Sequence, residues 1–230
     1  MGKKTIKTSS EQAMLETHRF LKIQLVTLHS RWQDYRNLFG HSQERVDLLN
    51  QCAGGFFHSI QFAMLQQIEL CMVRLLDPAK QRSGNKNMTF QRLVHLAEEV
   101  YQEGKVIHLR QMLERAMECS SRLRRRRNKA VAHLDVKTIQ NEDQVILEWP
   151  RIEEVDASLK ALVDLANAFE QVSGLPIMFY ELAENWSGSE AVVNHLTNSI
   201  RLKQLVKDGI LSRELAYPSR CCSKNSQATR

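Results

Sequence analysis

No run of about 18 consecutive apolar residues occurs in the 230-residue chain, so no bilayer-crossing helix is expected. Residues 1–10 are polar and carry lysines, and no apolar stretch follows, which argues against a secretory leader. Cysteine is sparse and odd in number: Cys52, Cys71 and Cys119 are scattered, and Cys221 and Cys222 are adjacent in a polar tail. That pattern excludes a disulfide scaffold and suits a reducing, cytoplasmic setting. No CxxC, HExxH or clustered ligand set is present, and no GxGxxG or GxxxxGK[ST] loop, so neither a metal nor another cofactor is expected. No internal repeat is present.

Helix breakers are also few, four prolines and nine glycines, and helix-period patterns fill the stretches between them. With 43% hydrophobic and 25% charged residues the composition is that of an ordinary globular protein. The net charge of +6 is mildly basic and compatible with a polyanionic partner.

The periodicities predict an all-α, antiparallel helical bundle. A first helix is expected over 10–38, capped by Ser9 or Ser10, with Phe20, Ile23, Leu25 and Leu28 as apolar positions. A second is expected over 42–76, with Val46, Leu49, Phe56, Phe57, Ile60, Met64, Ile68, Met72 and Leu75 recurring at three- and four-residue steps. Gly54 and Gly55 inside it mark close packing or a bend, and Asp77-Pro78 ends it. Residues 79–88 read as a polar loop, and Thr89 as the cap of a third helix reaching Gln102 with Leu93, Val94 and Leu96 inward. A fourth helix is expected over 106–133 and a short hairpin-like insertion over 134–149. Another helix follows over 151–172, stopped by Gly174 and Pro176, and a last over 190–207. The predicted units are a helical domain over 10–175, a helical extension over 176–216 and a frayed tail over 217–230.

One segment concentrates chemistry. Arg122, Arg124, Arg125, Arg126 and Arg127 are followed by Asn128, Lys129, His133 and Asp135. Arginine is a permanent planar cation that pairs bidentately with phosphate. Histidine titrates near neutrality and moves protons without a metal. Cleaving RNA needs little more: the ribose 2′-hydroxyl must lose a proton, the phosphorane must be neutralised and the leaving 5′-oxygen must be protonated. Asparagine can donate to an oxyanion or orient a neighbour.

The run Arg127-Asn128-Lys129-Ala130-Val131-Ala132-His133 resembles the Arg-polar-x4-His motif of the HEPN superfamily. The context is similar to its abortive-infection branch, the Abi U type. There an Arg-Leu-Leu-Asp-Pro-like stretch (here 74–78) ends a long helix, Met88-Thr89-Phe90 opens the next, and Arg-Asn-Lys-x-x-Ala-His-x-Asp follows (here 127–135). The resemblance covers roughly residues 15–175. It implies a four-helix core, a homodimer with a composite site, and metal-independent endoribonuclease activity in a toxin or phage-defence effector, which in turn implies an antitoxin or other regulator. On that reading Arg127, Asn128 and His133 are catalytic, Arg122, Arg124, Arg125, Arg126 and Lys129 hold the RNA backbone, and Asp135 orients His133. Six residues of helix separate Arg127 and His133 by roughly 120° about the axis, so a second subunit or a helix break is needed to bring them together.

Plainer readings stand beside these. On spacing alone His133 reads as a helix C-terminal histidine meeting the dipole and the arginine run as a solvated surface, and Asp135 is equally a turn residue. Arg74 and Asp77 are expected to pair locally. His58, His95 and His108 read as boundary or core residues. Phe56, Phe57, Phe62, Met64 and Met72 read as core, and Trp149, Trp186 and Tyr180 as packing. Cys119, near the arginines, lacks a catalytic partner. The alternative to a nuclease is a catalytically silent HEPN module that binds RNA, a nucleotide or a protein. A third reading is a helical scaffold with an incidental basic stretch.

Overall fold

A computed structural model describes residues 8–128, 149–180 and 188–217. Among these residues the fold is all-α, with no strand. The elements are α1 (Ser9–Tyr35), a π-helical turn (Arg36–Gly40), α2 (Gln43–Leu75), α3 (Phe90–Val100), α4 (Glu103–Cys119), α5 (Ser121–Arg126), α6 (Ile152–Ser173), α7 (Ser189–Lys207) and α8 (Arg213–Ala216). The hairpin-like insertion predicted over 134–149, Trp149 excepted, and the tail after Tyr217 lie outside the described residues.

Local chemistry sets the helix starts. The Thr8 hydroxyl, rather than Ser9 or Ser10, accepts from Glu11 N at 3.2 Å and caps α1. Ser42 caps α2 and Thr89 caps α3 in the same way, each cap satisfying one orphan N–H for about 1 kcal/mol. Gly174, at φ 66°, ends α6 in the left-handed conformation that glycine adopts without a Cβ penalty. Leu175 N returns to Glu170 O at 2.8 Å to close that motif.

The main core lies between α1, α2, α3, α4 and α6, and includes Leu21, Leu25, Leu28, Met72, Phe90, Leu93, Leu162 and Phe169. Each such side chain contributes roughly 1.5–3 kcal/mol of burial. The inward face of α1 runs through Met14, His18, Leu21, Leu25, Leu28 and Trp32. Of the apolar positions read in the sequence, Leu25 and Leu28 are buried, whereas Phe20 and Ile23 lie on the outer face. A smaller cluster joins Leu38, Leu49, Phe57 and Val193. It binds α7 to the first half of α2, helped by Arg45 to Glu190 at 2.7 and 3.1 Å.

Two breaks interrupt the predicted helices. Ala53 leaves the helical region (φ −164°, ψ 61°), bending α2 one residue before the Gly54-Gly55 pair. A Cβ on Gly55 would meet nothing within 4 Å, so the glycines do not serve close packing. The helix predicted over 106–133 starts earlier, at Glu103, and breaks at buried Ser120. There the Ser158 hydroxyl of α6 donates to the Cys119 carbonyl at 2.9 Å, occupying an acceptor near the break.

Residues 79–88, predicted as a polar loop, form a stapled turn. Ala79 O accepts from Asn87 N at 2.9 Å, Gln81 N donates to Asn85 O at 2.8 Å, and Gly84 turns the chain at φ 91°. Side chains reinforce it: Gln81 Nε2 donates to Asn87 Oδ1 at 3.0 Å, and Asn87 Nδ2 to Pro78 O at 2.8 Å.

Candidate functional site

The arginine run forms α5 and the turn after it, and the fold sorts its members by environment. Arg126 turns inward. It is 6% exposed, donates to Glu69 at 2.5 Å, and lays its guanidinium 3.7 Å from the centre of the Trp149 ring. Glu69 is fully buried. Desolvation pushes its carboxyl above the usual range, and the Arg126 hydrogen bond and charge pull it back. Arg126 is therefore a core ion pair, away from the surface where a polynucleotide contact would need it.

Arg127 reaches in a different direction. It is half-buried, and its Nη2 donates to Asp77 Oδ1 at 2.7 Å. The expected Arg74–Asp77 pair is not formed; Asp77 pairs instead with Arg127, through Oδ1. Arg122 meets Glu154 of α6 at 2.5 Å, and the Arg151 backbone and Arg122 hold the Glu154 carboxyl low against desolvation. Among the described residues, no carboxylate pairs with Arg124 or Arg125, and Arg125 and Asn128 are exposed. Lys129, His133 and Asp135 lie outside the described residues.

Asp77 also lines a cavity of about 250 Å³ between α1, the end of α2 and the stapled turn. Phe20, Gln24, Arg74, Asn87, Met88 and Thr89 contribute to its wall. Arg74, Leu75 and Asp77 from one stretch of sequence and Met88 and Thr89 from another thus face one space, and Arg127 joins it through Asp77.

Other predicted residues fall as follows. Phe57 and Met72 are core, whereas Phe56 (61% exposed) and Phe62 (46%) are on the surface; Phe62 packs edge-on to Trp149 at 5.0 Å. His58, His95 and His108 are exposed, not core. Tyr180 is buried, as the packing reading requires, and donates to Glu170 Oε1 at 3.1 Å. The same fully buried carboxylate meets His18 at 3.1 Å and accepts from Met178 N at 2.9 Å. Cys119 is half-buried. Among the described residues no group of His, Cys, Asp and Glu is placed to hold a metal ion, and no helix is long and apolar enough to cross a membrane.

Glu69 is the residue that sequence reasoning passed over. Its signal was present: it sits at the buried register of α2 with Leu65, Ile68, Met72 and Val73, and a carboxylate at such a position requires a cation.

Beyond the chain itself, a family model described as HEPN_AbiU2 (AbiU2) matches residues 12–185. No curated protein and no solved structure matches.

Proposed function

We propose that this chain, which belongs to the AbiU2 family of HEPN proteins, is an endoribonuclease that works without a metal as an effector of abortive infection. One observation carries the reading: Arg127, which opens the Arg-Asn-x4-His motif, is held at 2.7 Å by Asp77 on the wall of a cavity, and Arg124 and Arg125, which pair with no carboxylate among the described residues, lie in the short helix just before it. A guanidinium fixed by a carboxylate is oriented before substrate arrives, so little conformational entropy is lost on phosphate binding.

In this reading His133 takes the proton of a ribose 2′-hydroxyl. The 2′-oxygen attacks the adjacent phosphorus, the bond from phosphorus to the 5′-oxygen breaks, and an imidazolium returns a proton to that oxygen. The products are a 2′,3′-cyclic phosphate and a 5′-hydroxyl. Arg127 neutralises the charge on the phosphorane, and exposed Asn128 positions the phosphate or the histidine. Arg124, Arg125 and Lys129 hold the flanking backbone, and Asp135 orients His133. A homodimer supplies the second copy of the motif, and an antitoxin or other regulator restrains the enzyme.

The test is labelled RNA incubated with purified protein in EDTA. Cleavage that survives chelation, leaves cyclic phosphate ends and disappears in His133→Ala supports the reading; equal cutting by that variant removes His133 from the mechanism. A second reading, the catalytically silent module, is favoured by the same ion pair, since Arg127 is already charge-matched by Asp77. Tight RNA binding with no cleavage under the same conditions would establish it.

A further inference from the structure

The cavity beside Asp77 is built for more than passing a phosphate. Its 250 Å³ falls below the roughly 300–1,000 Å³ of sites for drug-sized ligands and suits a single ring system. Part of its wall is apolar: Phe20 and Met88, 41% and 42% exposed, both line this space. Thr17, whose hydroxyl donates to Ala13 O at 2.7 Å, lies 3.5 Å from the Met88 sulfur. Opposite in character are the side chains of Gln24 and Arg74 and the second Asp77 oxygen, none of which has a hydrogen-bond partner among the described residues, whereas the amides of Gln81 and Asn87 are engaged in the stapled turn. That turn makes the wall rigid, so the unengaged groups are presented and not collapsed onto one another.

An aromatic face, a thioether, an amide and a carboxylate oxygen in one small space, with the Arg127 guanidinium on that carboxylate and Arg74 in the same wall, are the partners of a nucleoside phosphate. A base stacks on an aromatic ring regardless of sequence, and amide and carboxylate groups read its edge. We propose that this cavity seats one nucleobase, stacked on Phe20 and read at its edge by Gln24 and Asp77, with the attached phosphate on Arg74 and Arg127. The proposal rests on the endoribonuclease reading for its polymer substrate, while the pocket itself takes any nucleoside monophosphate unit. Because the Asp77 oxygen only accepts, bases with an exocyclic amino group bind better than uracil.

The experiment is equilibrium binding of the four nucleoside 3′-monophosphates to the full chain and to Phe20→Ala and Gln24→Ala, with melting curves to establish folding. Both side chains line an open surface, so both variants are expected to melt with the parent. Phe20→Ala should weaken binding by about five- to a hundredfold. Gln24→Ala should alter the ranking of the bases, with uridine phosphate weakest in the parent. Displacement of the mononucleotide by RNA identifies the polymer as the source of the base, and its absence identifies a free nucleotide; the pocket stands in both. Binding that survives Phe20→Ala undiminished, or no binding of any of the four, overturns it. Neither arm needs cleavage, so a protein that binds through Phe20 and cuts nothing refutes only the nuclease reading. One that cuts RNA with unchanged base preference in both variants refutes only the pocket.

Discussion

Arg126 donates to Glu69 at 2.5 Å, and the two side chains are 8% and 0% exposed: a cation from the basic helix is used to neutralise an acid in the core. The pair is imperfectly satisfied. Glu69 Oε1 and Arg126 Nε are buried with no hydrogen-bond partner among the described residues. A buried pair of this kind is weak evidence for stability, but losing one member leaves an uncompensated charge.

Arg126→Met should therefore destabilise the fold by about 3–5 kcal/mol, and Glu69→Leu combined with Arg126→Met by much less. In a protein of this size the single variant loses on the order of 10 °C in melting temperature. The sign of its pH dependence follows from Glu69, whose carboxyl is already above its ordinary range and rises further without the arginine. A raised carboxyl contributes stability that is present at low pH and lost as pH rises through the folded-state value. The deficit of Arg126→Met is thus smaller at pH 5 than at pH 8, as paired thermal melts would show. A constant deficit across that range would contradict the account.

His18 works in the opposite direction. Desolvation holds its pKa below the ordinary 6.5, against the pull of Glu170. A depressed histidine contributes stability fully present above pH 6.5 and lost as pH falls, because the unfolded chain then binds the proton more readily. His18→Gln, which can still donate to Glu170 Oε1, should flatten the acid side of a plot of melting temperature against pH below 6.5. An unaltered slope would assign the acid sensitivity elsewhere.

Asp77→Asn keeps an acceptor for Arg127 and removes the carboxylate charge. The electrostatic part of RNA binding should strengthen, its salt dependence steeper by up to about 0.7, the increment for one further phosphate neutralised on a single strand, while the base contact of the second Asp77 oxygen is lost. Cleavage should slow nonetheless, since Arg127 is held less firmly. Filter binding across a salt series and single-turnover cleavage separate the two effects; a faster variant would mean that Asp77 restrains the enzyme.

Arg124→Ala and Arg125→Ala test the surface members of the basic helix. Each should lower the magnitude of the salt slope by about 0.7 while leaving stability within about 0.5 kcal/mol of the parent. A variant that melts early while the slope stays put would place that arginine in the fold, as Arg126 is.

Where structure was decided by neighbours in sequence, it could be read from the letters. Thr89 as a cap, Asp77-Pro78 as a stop and Gly174 as a C-terminal turn are each one or two residues of local chemistry, and the helices beside them fall within a few residues of expectation. The all-α class followed from the same periodicities. What depended on distant partners was not legible. The break at Ser120 goes with a hydroxyl from α6, and Arg126, Arg127 and Arg122 are identical letters until Glu69, Asp77 and Glu154 are brought to them. The exposure of Phe20 was not legible for a related reason: the α1 face could not be fixed until α3 and α6 packed on it, and that exposure is what furnishes the cavity wall.

The bend at Ala53 divides α2 into two arms with separate allegiances. Leu65, Ile68 and Met72 anchor the later arm in the large core, whereas the earlier arm buries Leu49 in a small cluster with Leu38 of the π-helical turn, Phe57 just past the bend and Val193 from α7. A chain shortened before Gly188 should keep the bundle intact yet bare that oily strip beside already exposed Phe56, turning a discrete particle into one that sticks to its own kind.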